Sequence, residues 1–596
     1  RETLKNLKKA GFSDKHIAYL GGLPQKEILQ KRIQKNLLPV YRAVDTCSGE
    51  FPAETPYFYA TFHGKNEAIS KKDKDSIIIL GSGPNRIGQG IEFDYSCVKA
   101  CQKLEEKKYN SVMINSNPET VSTDYDTSNR LYMAPLYSED LFDIFLNENP
   151  RGIITCFSGQ TGIKVREYLE EDYRQEIQKF NYLGPSLQSI QQSEDRKLFS
   201  HKMKDLPLAR TQSRDIVGYK ALMNAMIEIG FPVIIRPSFV IGGESMYIFN
   251  SPEDIEKLPD ELLHQLKNTA ASFQVENYLE NALEYDVDLI RDSYGNIIYT
   301  LCEHIEYAGV HSGDSGMITP PVELKEELYK KLKSISSQMA HKLKVTGPIN
   351  IQFAIKENQI ICIEANPRGS RTLPFLSKSF NLSLAGFSVD ALLGEKIEEN
   401  IGDKLKHFAV KQSTFPFDRF VQDNMILGPK MRSTGETFGI DRDPQKAILK
   451  SYLGNYPKLL IPGKILISLS DQHKPMINNY LSHLQSGGFH FVATPGTCEY
   501  IRNQNYDCQR CEKLNSSGKN LLDVIKGGDV CFVLNTPKEG FKSISDGENI
   551  RNTAIQFGIP TFTRAENIRC VLKALIHSFT KKPKPCSLQE LYGEDI

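Results

Sequence analysis

At 596 residues the chain is too long for one hydrophobic core, and ~150 residues per domain gives about four domains. Lys plus Arg total 73 and Asp plus Glu total 73, so no net charge draws the chain to nucleic acid or to an anionic membrane. Hydrophobic residues at 40% and charged residues at 24% exclude a disordered or fibrous chain, and 12 cysteines are too dilute for a disulfide scaffold. Free thiols fit a reducing compartment. The longest apolar runs, such as Ile77–Leu80 and Pro232–Ile235, fall far below the ~18–20 residues of a membrane span. The chain opens on Arg1 rather than Met, as a processed terminus or a piece of a longer protein does, and the charged Arg1–Lys35 stretch carries no secretory signal pattern. The expectation is a cytoplasmic, multidomain enzyme.

Leu4, Leu7, Phe12, Ile17 and Leu20 fall at helical spacing, broken by Gly11, with Ser13 placed to cap the second helix. A stretch with Pro39, Pro52 and Pro56 follows, and the charge run Lys71–Asp75 after it reads as a solvated linker. Ser76–Leu80 is an apolar strand that runs into the glycine-rich Gly81–Gly90. A helix over Tyr95–Lys107 and a strand over Ser111–Asn115 complete a βαβ unit, which implies a parallel sheet continued by Ile153–Phe157. Between Glu194 and Glu399 the pattern is mixed: strands at Phe231–Pro237 and Ser272–Tyr278, a glycine turn at Gly242–Gly243, and a hairpin of Asn350–Ile355 with Gln359–Ala365 around Glu357–Asn358. Past Pro462–Gly463, strands at Lys464–Leu469, Phe489–Ala493 and Val530–Leu534 separated by helical stretches predict a doubly wound α/β domain.

Several motifs carry chemistry. The loop after Ser76–Leu80 can cradle a phosphate or be a tight structural turn; the turn weighs more, because Arg86 stands where a dinucleotide fingerprint needs its third glycine. The hairpin places Gln352, Glu364 and Asn366 on one face. Oxygen ligands of this kind suit a hard cation such as Mg²⁺ that also binds substrate phosphates. Arg368 and Arg371 follow directly and can neutralise a transferring phosphoryl group; the competing reading is a polar hairpin with surface arginines. Arg196 and Arg236 are phosphate candidates or ordinary ion-pair partners, and His311 is an anion donor or a structural loop histidine. Cys508-Gln509-Arg510-Cys511 lacks a second ligand pair, and Cys97 and Cys101, one helical turn apart, read as buried apolar residues.

The run Gly83-Pro84-Asn85-Arg86-Ile87-Gly88-Gln89-Gly90-Ile91-Glu92-Phe93-Asp94-Tyr95 resembles the signature of the carbamoyl-phosphate synthetase large subunit. So do Asn117-Pro118-Glu119-Thr120-Val121-Ser122-Thr123-Asp124-Tyr125-Asp126 and Glu364-Ala365-Asn366-Pro367-Arg368. The resemblance is ordered along nearly the whole chain. It implies the second, carbamate-phosphorylating half of that subunit, entered partway through a helical oligomerisation domain. The implied fold is multidomain α/β and α+β: the end of the helical domain and a linker (1–72), a biotin-carboxylase-like pre-ATP-grasp α/β domain (73–193), an ATP-grasp domain with an extension (194–460), and a methylglyoxal-synthase-like regulatory domain (461–596).

The same resemblance implies a role for each matching position. Arg196 and Arg236 would contact ATP phosphates under a flap at Gly242 and Gly243, with Glu244 next to it where a carboxylate would have to face solvent. Asn277 and Leu279 would lie at the adenine, Glu284 at the ribose, and Gly309, Val310, His311 and Ser312 along the nucleotide. Gln352, Glu364 and Asn366 would hold Mg²⁺ or Mn²⁺, two ions in all, and Arg368 and Arg371 would face the phosphoryl group and carbamate. Lys474, Thr494, Thr497, Lys513 and Asn535 would bind a small phosphorylated effector. Implied partners are the bicarbonate-phosphorylating half, on the same or a separate chain, a glutaminase subunit or domain, and further copies of the chain. The implied product is carbamoyl phosphate for pyrimidine or arginine biosynthesis. The competing readings are another ATP-grasp carboxylate ligase and a non-catalytic regulatory subunit.

Overall fold

The computed structural model describes residues 2–51, 55–68, 75–87, 90–237, 246–257, 260–267, 272–398, 405–419, 425–512, 521–537 and 546–593. Gly88, Gln89, Gly242, Gly243, Glu244, Lys513 and most of the Lys71–Asp75 charge run lie outside them.

Four sheets organise the described residues. The first has seven strands in the order Val40–Ala43, Tyr57–Thr61, Arg130–Met133, Asn110–Asn115, Ser76–Leu80, Gly152–Ile154, Tyr182–Leu183, parallel except for the first pair. The Ser76–Leu80 strand is central and buried along its whole length, which is why it reads as an uninterrupted apolar run rather than an alternating one. Helix Ile91–Glu106 begins four residues earlier than its periodicity predicts and lays Cys97 and Cys101 into the core, as expected.

The stretch that contains Pro39, Pro52 and Pro56 carries two strands that periodicity did not predict. Val40–Ala43 and Tyr57–Thr61 are antiparallel strands that extend the first sheet. Their outer edge is closed by side chains, with Asn66 Oδ1 accepting the Tyr41 N–H at 3.0 Å and Glu67 Oε2 the Ala43 N–H at 2.8 Å. The prolines obscure this in the sequence, because Pro39 directly precedes the first strand and Pro56 the second.

Three short helices, Glu2–Lys9, Asp14–Gly21 and Gln25–Gln34, precede this sheet. Ser13 caps the second by accepting the His16 N–H. They are tied down by charge: Arg32, 0% exposed, reaches Asp14 at 2.8 Å and Asp143 at 2.9 Å, and Lys8 pairs with Asp14 at 3.2 Å and with Glu139.

The second sheet is antiparallel, in the order Tyr247–Phe249, Val233–Pro237, Ser272–Asn277, Ser213–Val217. The third is a seven-stranded antiparallel sheet: Gln359–Asn366, Gly347–Lys356, Leu283–Arg291, Ile297–His304, Met317–Thr319, Phe408–Thr414, Gly435–Asp441. The predicted hairpin forms there, turning through Glu357 and Asn358 at φ 52° and 62°, the left-handed pair that a two-residue hairpin turn requires. The fourth sheet, Cys508–Arg510, His490–Ala493, Lys464–Ser468, Val530–Asn535, Thr561–Phe562, is parallel, as predicted for this region.

One core is shared between the first and third sheets. Ile77, Ile79, Met113 and Ile154 join Ile290, Cys302, Met317 and Leu373 in a single buried cluster. The elements carrying the two glycine- and asparagine-rich motifs are therefore packed rigidly onto the elements carrying the hairpin. No described helix is long and apolar enough to cross a membrane.

Arg32→Ala is expected to cost about 3–5 kcal/mol, because it leaves Asp143 buried without its cation and Asp14 with Lys8 alone. A drop in the chemical-denaturation midpoint is the measurement that checks this.

Candidate functional site

The site grows from the hairpin. Gln352 and Glu364 are direct cross-strand partners, and Asn350 pairs with Asn366, so alternation puts Gln352, Glu364 and Asn366 on one face. Asn366 Nδ2 donates to Glu364 Oε1 at 2.8 Å, which leaves the amide oxygen as acceptor. No group of three or more His, Cys, Asp and Glu side chains that could hold a metal occurs among the described residues. The donor set instead offers one carboxylate and two amides, which fits a hard cation that completes its shell with phosphate and water.

Pro367 ends the strand, and the chain turns sharply: the Arg368 N–H donates to Asn366 O at 2.8 Å and the Gly369 N–H to Cys156 O at 2.9 Å. Arg368 and Arg371 both lie over the Phe93 ring, each 5.8 Å from its centroid. Burial lowers both guanidinium pKa values from their ordinary range, and Glu364 opposes the shift in each. Arg368 Nε is buried with no hydrogen-bond partner, a donor poised for an acceptor.

His311 comes to the same place. Its Nδ1 accepts the Gly313 N–H at 3.0 Å, so the ring proton sits on Nε2, 3.5 Å from Arg371 Nη1. Burial first, and then Arg371, hold its pKa well below the ordinary range. A neutral donor beside a cationic one suits a shared anionic oxygen, and this favours the anion-donor reading of His311 over the structural one.

Arg196 and Arg236 converge on a single carboxylate. Arg236 Nη2 donates to Glu276 Oε1 at 2.8 Å and to Gln274 Oε1 at 3.3 Å, and Arg196 pairs with the same Glu276 oxygen. Burial pushes the Arg196 pKa down to about 10 while Glu364 raises it, which places Arg196 in the field of the hairpin carboxylate.

Asn277 closes the Ser272–Asn277 strand, its N–H donating to Gln212 O at 3.1 Å. Leu279 follows and packs into a small apolar cluster of Ala209, Ala282, Ala308, Ala354, Ile361 and Ile363. Behind it Glu284 is buried, its pKa pushed up to about 7 by desolvation and held back by His304.

Gly309 borders the same cluster at φ 105°, where a Cβ would meet Tyr278 Oη at 2.4 Å, so glycine is required. Val310 is buried next to it, and Ser312 O accepts from the buried Lys411 Nζ at 3.4 Å.

The glycine-rich loop is a structural turn in its described part. A Cβ on Gly81 would strike the Asn115 side chain at 2.4 Å, and Asn115 Oδ1 accepts the Gly83 N–H at 3.1 Å. The two long motifs pack on each other, with Asp94 Oδ2 accepting the Ser122 N–H at 3.1 Å. What they bring to the site is Phe93 beneath the two arginines.

The effector candidates lie apart, at the C-terminal ends of the fourth sheet. Lys474 Nζ pairs with Asp471 at 2.5 Å and stands 3.4 Å from where a Gly496 Cβ would be, at the start of helix Pro495–Asn503. Thr494 stays at the rim. Thr497 and Asn535 are buried and engaged, Thr497 Oγ1 accepting the Leu469 N–H at 3.3 Å and Asn535 Oδ1 accepting from Arg551 at 2.7 Å. They shape the rim rather than face it.

Sequence reasoning missed Phe93, Glu276 as the shared tether, Lys411, and the companions of Glu284 in a buried row, Asp286 and Asp288 with His304, whose Nε2 lies 3.4 Å from Asp286 Oδ2. The signal for the last was present as carboxylates at every second residue.

Residues 73–192 match the family model described as the carbamoyl phosphate synthase preATP-grasp domain. Residues 195–400 match the carbamoyl-phosphate synthase L chain, ATP binding domain, and residues 477–563 an MGS-like domain. The carbamoyl phosphate synthase large chain of Archaeoglobus fulgidus is 37% identical over 598 residues, covering 100% of this chain and 55% of the relative. That of Neisseria meningitidis serogroup A is 38% identical over 563 residues, covering 94% and 52%. The chain thus spans about half the length of the curated relatives it matches. A solved biotin carboxylase–ATP complex from Campylobacter jejuni aligns with a TM-score of 0.49 at 15% identity, over 65% of this chain and 90% of that one, a likeness too slight to argue from.

Gly309→Ala is expected to weaken MgATP binding by about 5- to 100-fold if the ~1–3 kcal/mol of strain from a side chain at a left-handed position against Tyr278 displaces the loop in the bound state. Titration calorimetry measures it.

Proposed function

The chain belongs to the carbamoyl phosphate synthase large-chain family, and on that premise we propose that it is the half of such a synthetase that phosphorylates carbamate with MgATP. The observation that carries the reading is the convergence of Arg368, Arg371 and His311 beside the Gln352–Glu364–Asn366 face. A scaffold would have no use for two half-buried guanidinium groups trained on one space.

The adenine lies against the apolar cluster at Leu279, with Asn277 beside it, and the ribose lies toward Glu284. Gly309, Val310 and Ser312 border the nucleotide. Arg196 and Arg236 exchange part of their contact with Glu276 for the triphosphate. Gln352, Glu364 and Asn366 hold the divalent metal, Mg²⁺ or Mn²⁺ and two ions in all, which when bound draws charge from the phosphate oxygens.

Arg368, Arg371 and the His311 Nε2–H hold the γ-phosphoryl group and the carbamate in line. A carbamate oxygen forms the new P–O bond, the bond from γ-phosphorus to the β,γ-bridging oxygen breaks, and ADP leaves with the electron pair. No side-chain nucleophile takes part; the protein positions the reactants and stabilises charge. The donors act in a site largely closed to water, where each is worth more than in bulk. Carbamate and its source are to be supplied by the bicarbonate-phosphorylating half and a glutaminase. The fourth sheet's rim takes an anionic effector.

With ADP, Mg²⁺ and carbamoyl phosphate, the chain is expected to make ATP. Glu364→Gln is expected to slow this back-reaction by about 100-fold or more, in line with loss of a metal-held phosphate. Wild-type speed in that variant overturns the metal assignment, and no ATP from the unaltered chain overturns the function.

A further inference from the structure

Asp288 lies in the middle of the Leu283–Arg291 strand, 5% exposed. A carboxylate in that position is expensive unless hydrogen-bonded, and an apolar residue would fill the space at lower cost. Its partners are specific. Asp288 Oδ2 accepts from Thr372 Oγ1 at 2.5 Å, Oδ1 accepts from Asn350 Nδ2 at 3.3 Å, and the Ser370 side chain makes a further hydrogen bond to the carboxylate. Ser370 and Thr372 are themselves joined at 2.8 Å.

Those three partners belong to the phosphoryl-transfer site. Ser370 and Thr372 flank Arg371 on either side in sequence, and Asn350 is the cross-strand partner of Asn366. Arg371 stands at the N-cap of helix Thr372–Phe380, where no side chain caps the helix. The turn bearing both arginines is therefore held at two points, the Gly369 N–H on Cys156 O and the Ser370–Thr372 pair on Asp288. With residues 370 and 372 turned down to the sheet, Arg371 between them is turned toward His311. Asp288 also contributes to the field that keeps Arg368 charged.

We propose that Asp288 is a positioning residue for phosphoryl transfer: it never meets substrate, and it fixes the reach of Arg368 and Arg371 by clamping Ser370, Thr372 and Asn350 to the central strand. The proposal rests on the reading of the site as a carbamate-phosphorylating one. The clamp needs the ionised carboxylate, which can accept all three bonds at once; an amide must turn one of its two ends into a donor.

The test is steady-state kinetics of the full chain making ATP from ADP, Mg²⁺ and carbamoyl phosphate. Asp288→Asn is expected to lower kcat about 10- to 100-fold, the usual cost of removing a support behind a reacting group, with KM for ADP within about twofold. Thr372→Val, which keeps shape and removes one donor, is expected to lower kcat in the same direction by less. The double variant is expected to be no worse than Asp288→Asn, because both break one clamp.

A merely structural role predicts the opposite pattern: a lower thermal midpoint with kcat preserved in the folded fraction, or strictly additive losses. Either result overturns the proposal, as does a kcat within twofold of wild type. Should Asp288→Asn fail to fold, Ser370→Ala with Thr372→Val decides, unchanged kcat overturning it. Failure of the unaltered chain to make ATP is a separate result and sinks the functional reading instead.

Discussion

Two guanidinium groups have to stay charged where they are half-withdrawn from water. Desolvation works against Arg368 and Arg371, and the surrounding structure is arranged around that cost. Glu364 lies within their field, Phe93 offers its ring face to both, and Asp288 holds the backbone between them. Half-buried donors kept ionic in this way are held in place before any anion arrives, the arrangement on which electrostatic preorganisation depends.

This dependence accounts for the order of the sequence motifs. The glycine- and asparagine-rich runs of the first sheet make no phosphate cradle of their own in the described residues; Asn115 takes up the backbone donor at Gly83. Their product is a rigid platform, continuous with the core of the third sheet, that brings Phe93 and Cys156 O to the arginine turn.

The fourth sheet is coupled to the same body. Tyr307, two residues before Gly309, donates its N–H to Glu566 at 3.4 Å, and Glu566 also pairs with Arg564. At the far end, helix Leu588–Tyr592 lays Leu591 into the core shared by the first and third sheets, and the Tyr592 hydroxyl donates to Lys378 O on the helix that Arg371 caps. The C-terminal segment is thus packed against both the loop that leads to Gly309 and the helix that follows Arg371.

Much of this was legible in the residues themselves. The period-two hairpin with its left-handed Glu357–Asn358 turn, the apolar Ser76–Leu80 strand and the parallel final sheet follow from local rules of spacing and backbone sterics, which act within a few residues. The identity of the candidate metal ligands follows for the same reason, since Gln352, Glu364 and Asn366 share a face as soon as the hairpin forms. What local rules could not supply was company. Glu284, Asp286 and Asp288 make the Leu283–Arg291 strand look like a solvated edge, and only its burial between Gly347–Lys356 and Ile297–His304 turns those carboxylates into partners for His304, Asn350 and Thr372. Phe93 lies 275 positions before Arg368, and Glu276 is 80 from Arg196. Contacts over such separations are decided by how the sheets stack, because a buried charge accepts whatever partner the packed core delivers and nothing in its own neighbourhood names that partner.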